Sequence, residues 1–219
     1  MAKRSDTRRQ KARQRKAAKR KKKKEGQGTL SPQLRGRSLF RTAGSWPLYE
    51  CLLSQEWQEE GAITQVLVAR RSSTGQIAAA AFLVDLGCLG VKSAFGRVFD
   101  TRQEYRQLGN GMTANQEMIK ADLNLVAKII REAIAYASEL GFRPDPDYRD
   151  AMAVLGDADP DVCNVPVPLG GRDGKPLFVA GPHDNVDRIM AKLRHKLGED
   201  GFYFMIPLAG DEEIFLPDE

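Results

Sequence analysis

The sequence predicts an α+β fold: a single domain of two β-hairpins and a C-terminal strand packed with about four helices, preceded by a disordered basic arm. Short apolar runs form pairs across turn segments, and longer stretches repeat apolar residues at helical spacing. The strands pair locally and do not alternate with helices in βαβ order, which favours α+β over α/β. The chain has 219 residues, of which 42% are hydrophobic, and this is typical of one globular domain with an appendage.

Positive charge is concentrated at the start of the chain and negative charge in the remainder. Residues 1–49 carry 17 Lys+Arg and 2 Asp+Glu, a net charge of +15, whereas residues 50–219 carry 17 and 27, a net charge of −10. Residues 3–24 alone hold 14 basic side chains and no large apolar one, so they cannot build a core and are predicted to be disordered when free. The predicted boundaries are a disordered basic arm at 1–27, a linker at 28–46, an α+β globular domain at 47–210 and an acidic tail at 211–219.

The first half of the domain is predicted to contain a helix and a hairpin. Leu48, Leu52, Leu53 and Trp57 repeat at helical spacing after Pro47, which predicts a short helix. Two strands, at 63–71 and 76–86, flank the turn segment 72–75. The second strand is apolar on both faces and is therefore predicted to be central in the sheet.

The second half is predicted to contain three helices, a hairpin and a final strand. The longest helix covers 115–140 and ends before Gly141. The hairpin is predicted from Asp173-Gly174, a dipeptide that favours tight turns. The remaining predicted elements are a helix at 147–155, hairpin strands at 162–169 and 175–181, a helix from Asp184 or Asn185 to Gly198, and a strand at 202–208.

The arm is the strongest functional signal in the sequence. A segment of this composition gains affinity for a polyanion by releasing condensed counterions, and arginine-rich segments commonly fold on RNA. The sequence therefore predicts a nucleic-acid-associated protein, with RNA or a ribonucleoprotein such as the ribosome as partner. The alternative is a protein-interaction module, contacted through the acidic body, whose arm is only a solubility or targeting tail. The predicted nucleic-acid-binding residues are Lys3, Arg4, Arg8, Arg9, Lys11, Arg13, Arg15, Lys16, Lys19, Arg20, Lys21, Lys22, Lys23 and Lys24.

Membrane and secretory classes are not favoured. The longest wholly apolar run, residues 77–84, is too short to cross a bilayer, for which about 20 residues are needed. Residues 1–29 lack the apolar stretch of a signal peptide. Cys51, Cys88 and Cys163 match neither a disulfide framework nor a paired zinc motif, so they are predicted to be reduced thiols. We therefore expect a cytoplasmic protein with no membrane partner.

A glycine-punctuated turn after the second strand is the one candidate pocket. Cys88 lies in this turn, and with His183 it could form a nucleophile and base, with Lys92 or backbone amides stabilising an oxyanion. This is the basis of a second hypothesis, a small hydrolase or nuclease-like enzyme. We assign no catalytic residue, no metal ligand and no cofactor from the sequence. The candidate pocket residues are Asp85, Cys88, Lys92, His183 and Asp184.

Two blocks of sequence carry a resemblance. The run Phe82-Leu83-Val84-Asp85-Leu86-Gly87-Cys88-Leu89-Gly90-Val91-Lys92, with the later Gly174-Lys175-Pro176-Leu177-Phe178 and Gly181-Pro182, resembles blocks of a family of uncharacterised bacterial proteins. The resemblance covers roughly residues 62–190 and does not include the arm. It implies a bacterial origin and one α+β domain, and it implies no activity.

Overall fold

A five-stranded antiparallel sheet lies at the centre of the structure, a computed structural model that describes residues 38–113 and 116–206. The strand order is β4-β3-β2-β1-β5, so that four strands consecutive in sequence form a meander and β5 pairs with the outer edge of β1. The predicted α+β class is confirmed. The strands of the sheet are β1 (Leu48–Ser54), β2 (Ile63–Arg71), β3 (Ile77–Asp85), β4 (Gly90–Phe99) and β5 (Met118–Lys120).

The predicted hairpin and the central place of its second strand are both confirmed. Strands β2 and β3 pair along nine residues each, and the turn closes with a hydrogen bond from the Ser72 amide to the Gln76 carbonyl at 2.9 Å. Gly75 has a φ of +93°, a conformation that glycine adopts without steric cost. Strand β3 also pairs with β4, so it lies inside the sheet, and its alanines at positions 78–80 are completely buried.

Helices cover both faces of the sheet. Helix α1 (Arg102–Thr113) packs Tyr105 and Met112 against one face, and α2 (Leu123–Glu139) packs Val126 and Ile130 against the other. The Asp122 carboxylate caps α2 by accepting from the Asn124 amide at 2.8 Å. On the same face of the sheet as α2, a short helix α3 (Tyr148–Ala151) continues as a 3₁₀ turn through Leu155, which confirms the helix predicted at 147–155.

In addition to the apolar side chains packed on the two faces of the sheet, a third apolar cluster is formed around two short strands and a helix. Strand β6 (Leu177–Val179) pairs in parallel with β7 (Tyr203–Met205), and α4 (Val186–Leu197) packs beside them. Helix α4 begins at Asn185, whose side chain accepts from the Arg188 amide, and ends at Gly198, as the sequence predicted. The buried members of this cluster are Cys88, Leu89, Leu140, Phe178, Met190, Leu193 and Phe202.

The helix predicted after Pro47 is wrong. The residues form strand β1, in which Cys51 and Leu53 face α2 whereas Leu52 faces α1. A strand that is apolar on both faces has closely spaced large residues, and these also satisfy a helical pattern over so short a length. These residues form a strand because they pair with β2 on one side and with β5 on the other. The predicted helix at 115–140 is shorter than expected, because residues 118–120 form β5 before Leu123 begins α2.

The second predicted hairpin is also wrong. A turn does form at its centre, where Asp173 and Gly174 have positive φ and the Gly171 amide donates to the Lys175 carbonyl at 2.7 Å. Residues 163–169 nevertheless form no strand. The chain after the turn pairs instead with β7, in parallel, so a local turn signal did not specify the strand partner.

The folded domain begins before the predicted boundary at residue 47. Phe40 and Ala43 are 3% and 0% exposed and belong to the core between the sheet and α2. The Phe40 ring lies over Gly96 of β4, where an added Cβ would come within 2.8 Å of the ring. The predicted linker at 28–46 is therefore partly core. The predictions for the arm at 1–27 and the acidic tail at 211–219 lie outside the described residues.

Candidate functional site

Asp85, at the end of β3, organises the turn that leads into β4. Its Oδ1 atom accepts from the Cys88 amide at 2.9 Å, and residues 86–89 form the turn around it. The side chain is 1% exposed, and its Oδ2 atom has no hydrogen-bond partner among the described residues. Burial raises the pKa of Asp85 from 3.8 to about 6, although the turn amides and Lys92 oppose the shift.

Cys88 lies in that turn and is completely buried. Its neighbours in the third apolar cluster include Phe178 and Leu193. Burial strongly raises the pKa of the Cys88 thiol, and the negative charge of Asp85 raises it further. A nucleophilic thiol needs the opposite conditions, a lowered pKa and partial exposure. The geometry at Cys88 therefore matches that of a packed thiol.

Lys92 and Asp184 form an ion pair that joins β4 to the loop before α4. The Lys92 Nζ and Asp184 Oδ2 atoms are 2.5 Å apart, and the two side chains are only 13% and 12% exposed. The same carboxylate oxygen accepts from the Gly181 amide at 2.8 Å, which holds the loop in place. Because the lysine charge is paired, this cation is not available to stabilise an oxyanion.

His183 does not join the other predicted pocket residues. Its side chain is exposed, and in the part of the chain that the structure describes no hydrogen bond links it to Cys88. Asp85, Cys88, Lys92 and Asp184 do come together, close enough for each charge to influence the Cys88 thiol. The geometry thus provides neither the base nor the reactive thiol that the enzyme hypothesis requires.

Sequence reasoning missed Tyr136 of α2 as a member of this group. Its hydroxyl is buried and without a hydrogen-bond partner among the described residues. Burial raises the pKa of Tyr136 to about 12, with further contributions from Cys88, Glu139 and Asp85. An added Cβ at Gly170 would lie 2.9 Å from the hydroxyl, which shows how closely the loop covers it. Its helical spacing from Ala133 and Leu140 was an available signal, since it places Tyr136 toward the apolar face.

A polar groove of about 260 Å³ lies at the same end of the sheet as Asp85, where Ile63 of β2 pairs with Asp85 and Ser54 of β1 pairs with Met118, and the sequence did not predict it. Ser54 donates to the Gln116 side-chain oxygen at 2.6 Å, and the Gln116 amide donates to the Ile63 carbonyl at 3.0 Å, so these polar groups are satisfied within the protein. Within residues 38–113 and 116–206, no group of three or more His, Cys, Asp or Glu side chains is arranged to hold a metal ion. The groove is lined by Ser54, Gln55, Glu56, Glu59, Ala62, Ile63, Gln116 and Glu117.

The predicted nucleic-acid-binding residues, from Lys3 to Lys24, lie outside the described residues. Among the helices that the structure describes, none is long and apolar enough to cross a lipid bilayer. Comparison with protein-family models, with curated proteins and with solved structures gave no significant match to this chain. The resemblance to a family of uncharacterised bacterial proteins stays an expectation.

Proposed function

We propose that this protein binds RNA through the basic segment at residues 3–24. The observation that carries the proposal is the charge distribution, because 14 Lys and Arg side chains and one Asp occupy these 22 positions while residues 50–219 have a net charge of −10. An acidic body would weaken binding to any polyanion, so most of the affinity has to come from the segment itself.

Counterion release supplies the driving force. Each Lys or Arg that contacts a phosphate releases condensed counterions, so affinity grows with the number of contacts and falls steeply with salt. Lys, Arg, Gln and Ala also have high helix propensity, and a 22-residue helix would be about 33 Å long. A segment that becomes helical on an RNA groove gains contacts on several consecutive phosphates, and this favours structured RNA over a flexible polyanion.

The two alternatives have less support. A hydrolase centred on Cys88 would need a reactive thiol and a nearby base, whereas this thiol is buried and His183 is exposed. A protein-interaction module would need an apolar or charged surface of its own, and it would bind its partner equally well without the arm. Arm-dependent RNA affinity is therefore the measurement that separates the three functions.

The test uses the full chain and a fluorescently labelled RNA hairpin of about 25 nucleotides. In one variant the 14 basic residues of 3–24 are replaced by Gln, and in the matched control the wild-type residues of 3–24 are scrambled. We expect the Gln variant to lose nearly all affinity and the scrambled variant to keep it, because phosphate contacts are largely independent of residue order.

Salt dependence is the second readout of this test. If six to ten charges contact phosphates, raising the salt concentration from 50 to 200 mM weakens binding of the wild-type chain by about 10³- to 10⁵-fold. A Gln variant that binds the hairpin as tightly as the wild-type chain contradicts the proposal. So does tighter binding to a DNA duplex of equal length than to the RNA.

A further inference from the structure

One end of the sheet carries three arginines beside aromatic rings. Arg71 ends β2 and is aligned, through Ile77 of β3, with Phe99 at the end of β4. Arg97 lies two residues before Phe99 on the same face of the sheet, and Arg102 begins α1 just beyond it. We call these three residues and Tyr49 of β1 the arginine surface.

Each guanidinium of this surface lies near an aromatic ring. Arg71 and Arg102 both lie 6.0 Å from the centre of the Tyr49 ring, and Arg97 lies 5.4 Å from the centre of the Phe99 ring. Both rings contact the buried Tyr105 edge to face, at 5.8 and 6.0 Å. The rings are held by packing, so they hold the arginines in a defined arrangement with less loss of side-chain freedom on binding.

The three arginines are exposed, and none of them forms an ion pair with a described residue. This distinguishes them from three other exposed arginines of the domain. The paired arginines and their partners are Arg41 with Asp150, Arg131 with Asp161, and Arg194 with Glu199.

The nearby carboxylates are engaged elsewhere. Glu50 accepts the Tyr105 hydroxyl, Asp100 accepts the Gln76 side chain at 2.8 Å, and Glu104 accepts the Asp100 amide at 3.3 Å. None of these contacts is made with the three arginines of the arginine surface, whose exposed guanidinium N–H groups face solvent.

We propose that the arginine surface is a second RNA-contact site, in which the three guanidinium groups bind backbone phosphates and Tyr49 and its flanking arginines support an unpaired base. This inference rests on the proposed function and adds a fixed site to it. A guanidinium binds phosphate through two parallel N–H bonds, and the plane of an arginine or aromatic ring accepts an unstacked base. On a body of net negative charge, a phosphate chain approaches most readily where cations are grouped, and the arginine surface groups three of them.

The test compares two triple variants of the full chain that change charge equally. The variant R71Q/R97Q/R102Q removes the three positive charges of the arginine surface. The control R41Q/R131Q/R194Q removes the positive charges of the three ion-paired arginines. The probe is the same RNA hairpin carrying a single-stranded 3′ extension of eight uridines, with thermal unfolding monitored for each variant. We expect the surface variant to bind at least tenfold more weakly at 100 mM salt than the control variant.

Two further readouts identify direct contact. Losing three phosphate contacts lowers the slope of log affinity against log salt by about 2 to 3. Photo-crosslinking from 4-thiouridine in the extension is expected to label the peptide that contains Tyr49, and Tyr49→Phe is expected to keep binding while Tyr49→Ala weakens it. Equal affinities and slopes for the two triple variants overturn the inference, as does tighter surface-dependent binding of an acidic peptide than of the RNA.

The outcomes also separate this inference from the proposed function. If neutralising residues 3–24 removes RNA binding while R71Q/R97Q/R102Q matches its control, the arm proposal stands and the inference fails. If the arm-neutralised chain binds as tightly as the wild-type chain and crosslinks at Tyr49, the arm proposal fails and the inference stands.

Discussion

Two buried charged side chains, Arg70 and Asp85, differ in how many of their polar atoms have a hydrogen-bond partner. Arg70 is 4% exposed and donates to the carbonyls of Trp46, Val154 and Leu155 at 2.6–2.8 Å. It also donates to Asp157 at 2.9 Å, and this contact lowers the pKa of that carboxylate. Among the described residues, Asp85 has a hydrogen-bond partner for only one of its two carboxylate oxygens. A buried, half-satisfied carboxylate favours its protonated form, so Asp85 is expected to influence stability through pH.

The Asp85→Asn variant measures that influence. Because the folded-state pKa is raised to about 6 from 3.8, the stability contributed by Asp85 protonation is full below about pH 4 and is lost as the pH rises through 6. Asn keeps an acceptor for the Cys88 amide and does not ionise. We therefore expect the unfolding free energy of the variant, relative to the wild-type chain, to rise by about 1–3 kcal/mol between pH 4 and 7 in urea titrations.

A matched control for this pH experiment is Asp173→Asn. Asp173 is exposed and has a φ of 57°, which Asn tolerates. Its unfolding free energy is expected to follow the wild-type pH profile. Parallel profiles for the wild-type chain and Asp85→Asn would show that Asp85 ionises normally in the fold.

At the scale of elements, the Lys92–Asp184 pair links β4 of the main sheet to the loop that begins α4. Asp184→Ala leaves a nearly buried ammonium without its partner and the Gly181 amide without its acceptor. We expect a loss of about 2–4 kcal/mol in urea unfolding at pH 7, with little dependence on salt. The exposed pair Arg194–Glu199 supplies the control, since Glu199→Ala is expected to cost under about 1 kcal/mol.

A double variant, Lys92→Met with Asp184→Asn, distinguishes the loss of unfolding free energy caused by one unpaired charge from the net stabilisation that the pair provides. It removes both charges and keeps an acceptor for the Gly181 amide, so it is expected to recover most of the stability that Asp184→Ala loses. If Asp184→Ala and Glu199→Ala cost the same, the Lys92–Asp184 pair does not hold the two elements together.

Elements with strong local signals were predictable, and those defined by partners were not. The β2–β3 hairpin and α4 carry turn and cap residues in the sequence, and the structure has both. Strand β1 lacked such a signal, and its two-sided burial resembles a helix pattern until β2 and β5 are known. Strand β4 and helix α1 were not predicted at all, because Gly96 and Gly111 interrupt the periodicity within them.

The candidate pocket was predictable in part for the same reason. The sequence grouped Asp85, Cys88 and Lys92, which are close along the chain, with His183 and Asp184. The structure brings Asp184 to the group through the ion pair with Lys92 and leaves His183 exposed outside it. The burial of Cys88, which decides its chemistry, could not be predicted from the sequence. The arginine surface was not predictable, because Arg71 and Arg97 are brought to one end of the sheet only by the pairing of β2, β3 and β4, and Arg102 only by the position of α1 beside it.

At the scale of the whole molecule, the meander of β1 to β4 packs against residues 38–46, which precede it in the sequence. Residues 38–41 are helical, and Phe40 covers Gly96 of β4 on one edge of the sheet. The Trp46 carbonyl accepts from Arg70 of β2, and Arg41 donates twice to Asp150. Residues 38–46, which looked like linker, therefore contact three separate parts of the domain.

Two truncated chains, 37–219 and 47–219, measure what residues 37–46 contribute. The shorter chain lacks the Phe40 ring, whose loss alone corresponds to about 3–5 kcal/mol for a buried aromatic side chain, and it leaves Arg70 without one of its acceptors. We expect 47–219 to unfold at least 3 kcal/mol more easily than 37–219 in urea, or to be unfolded without denaturant. In the full chain, Phe40→Ala is expected to reproduce most of this loss, whereas Leu48→Ala, at a side chain that is 47% exposed, is expected to cost under about 1 kcal/mol. Equal stability of the two truncated chains would instead place the start of the folded domain at residue 47, and Phe40 would then be dispensable to the core.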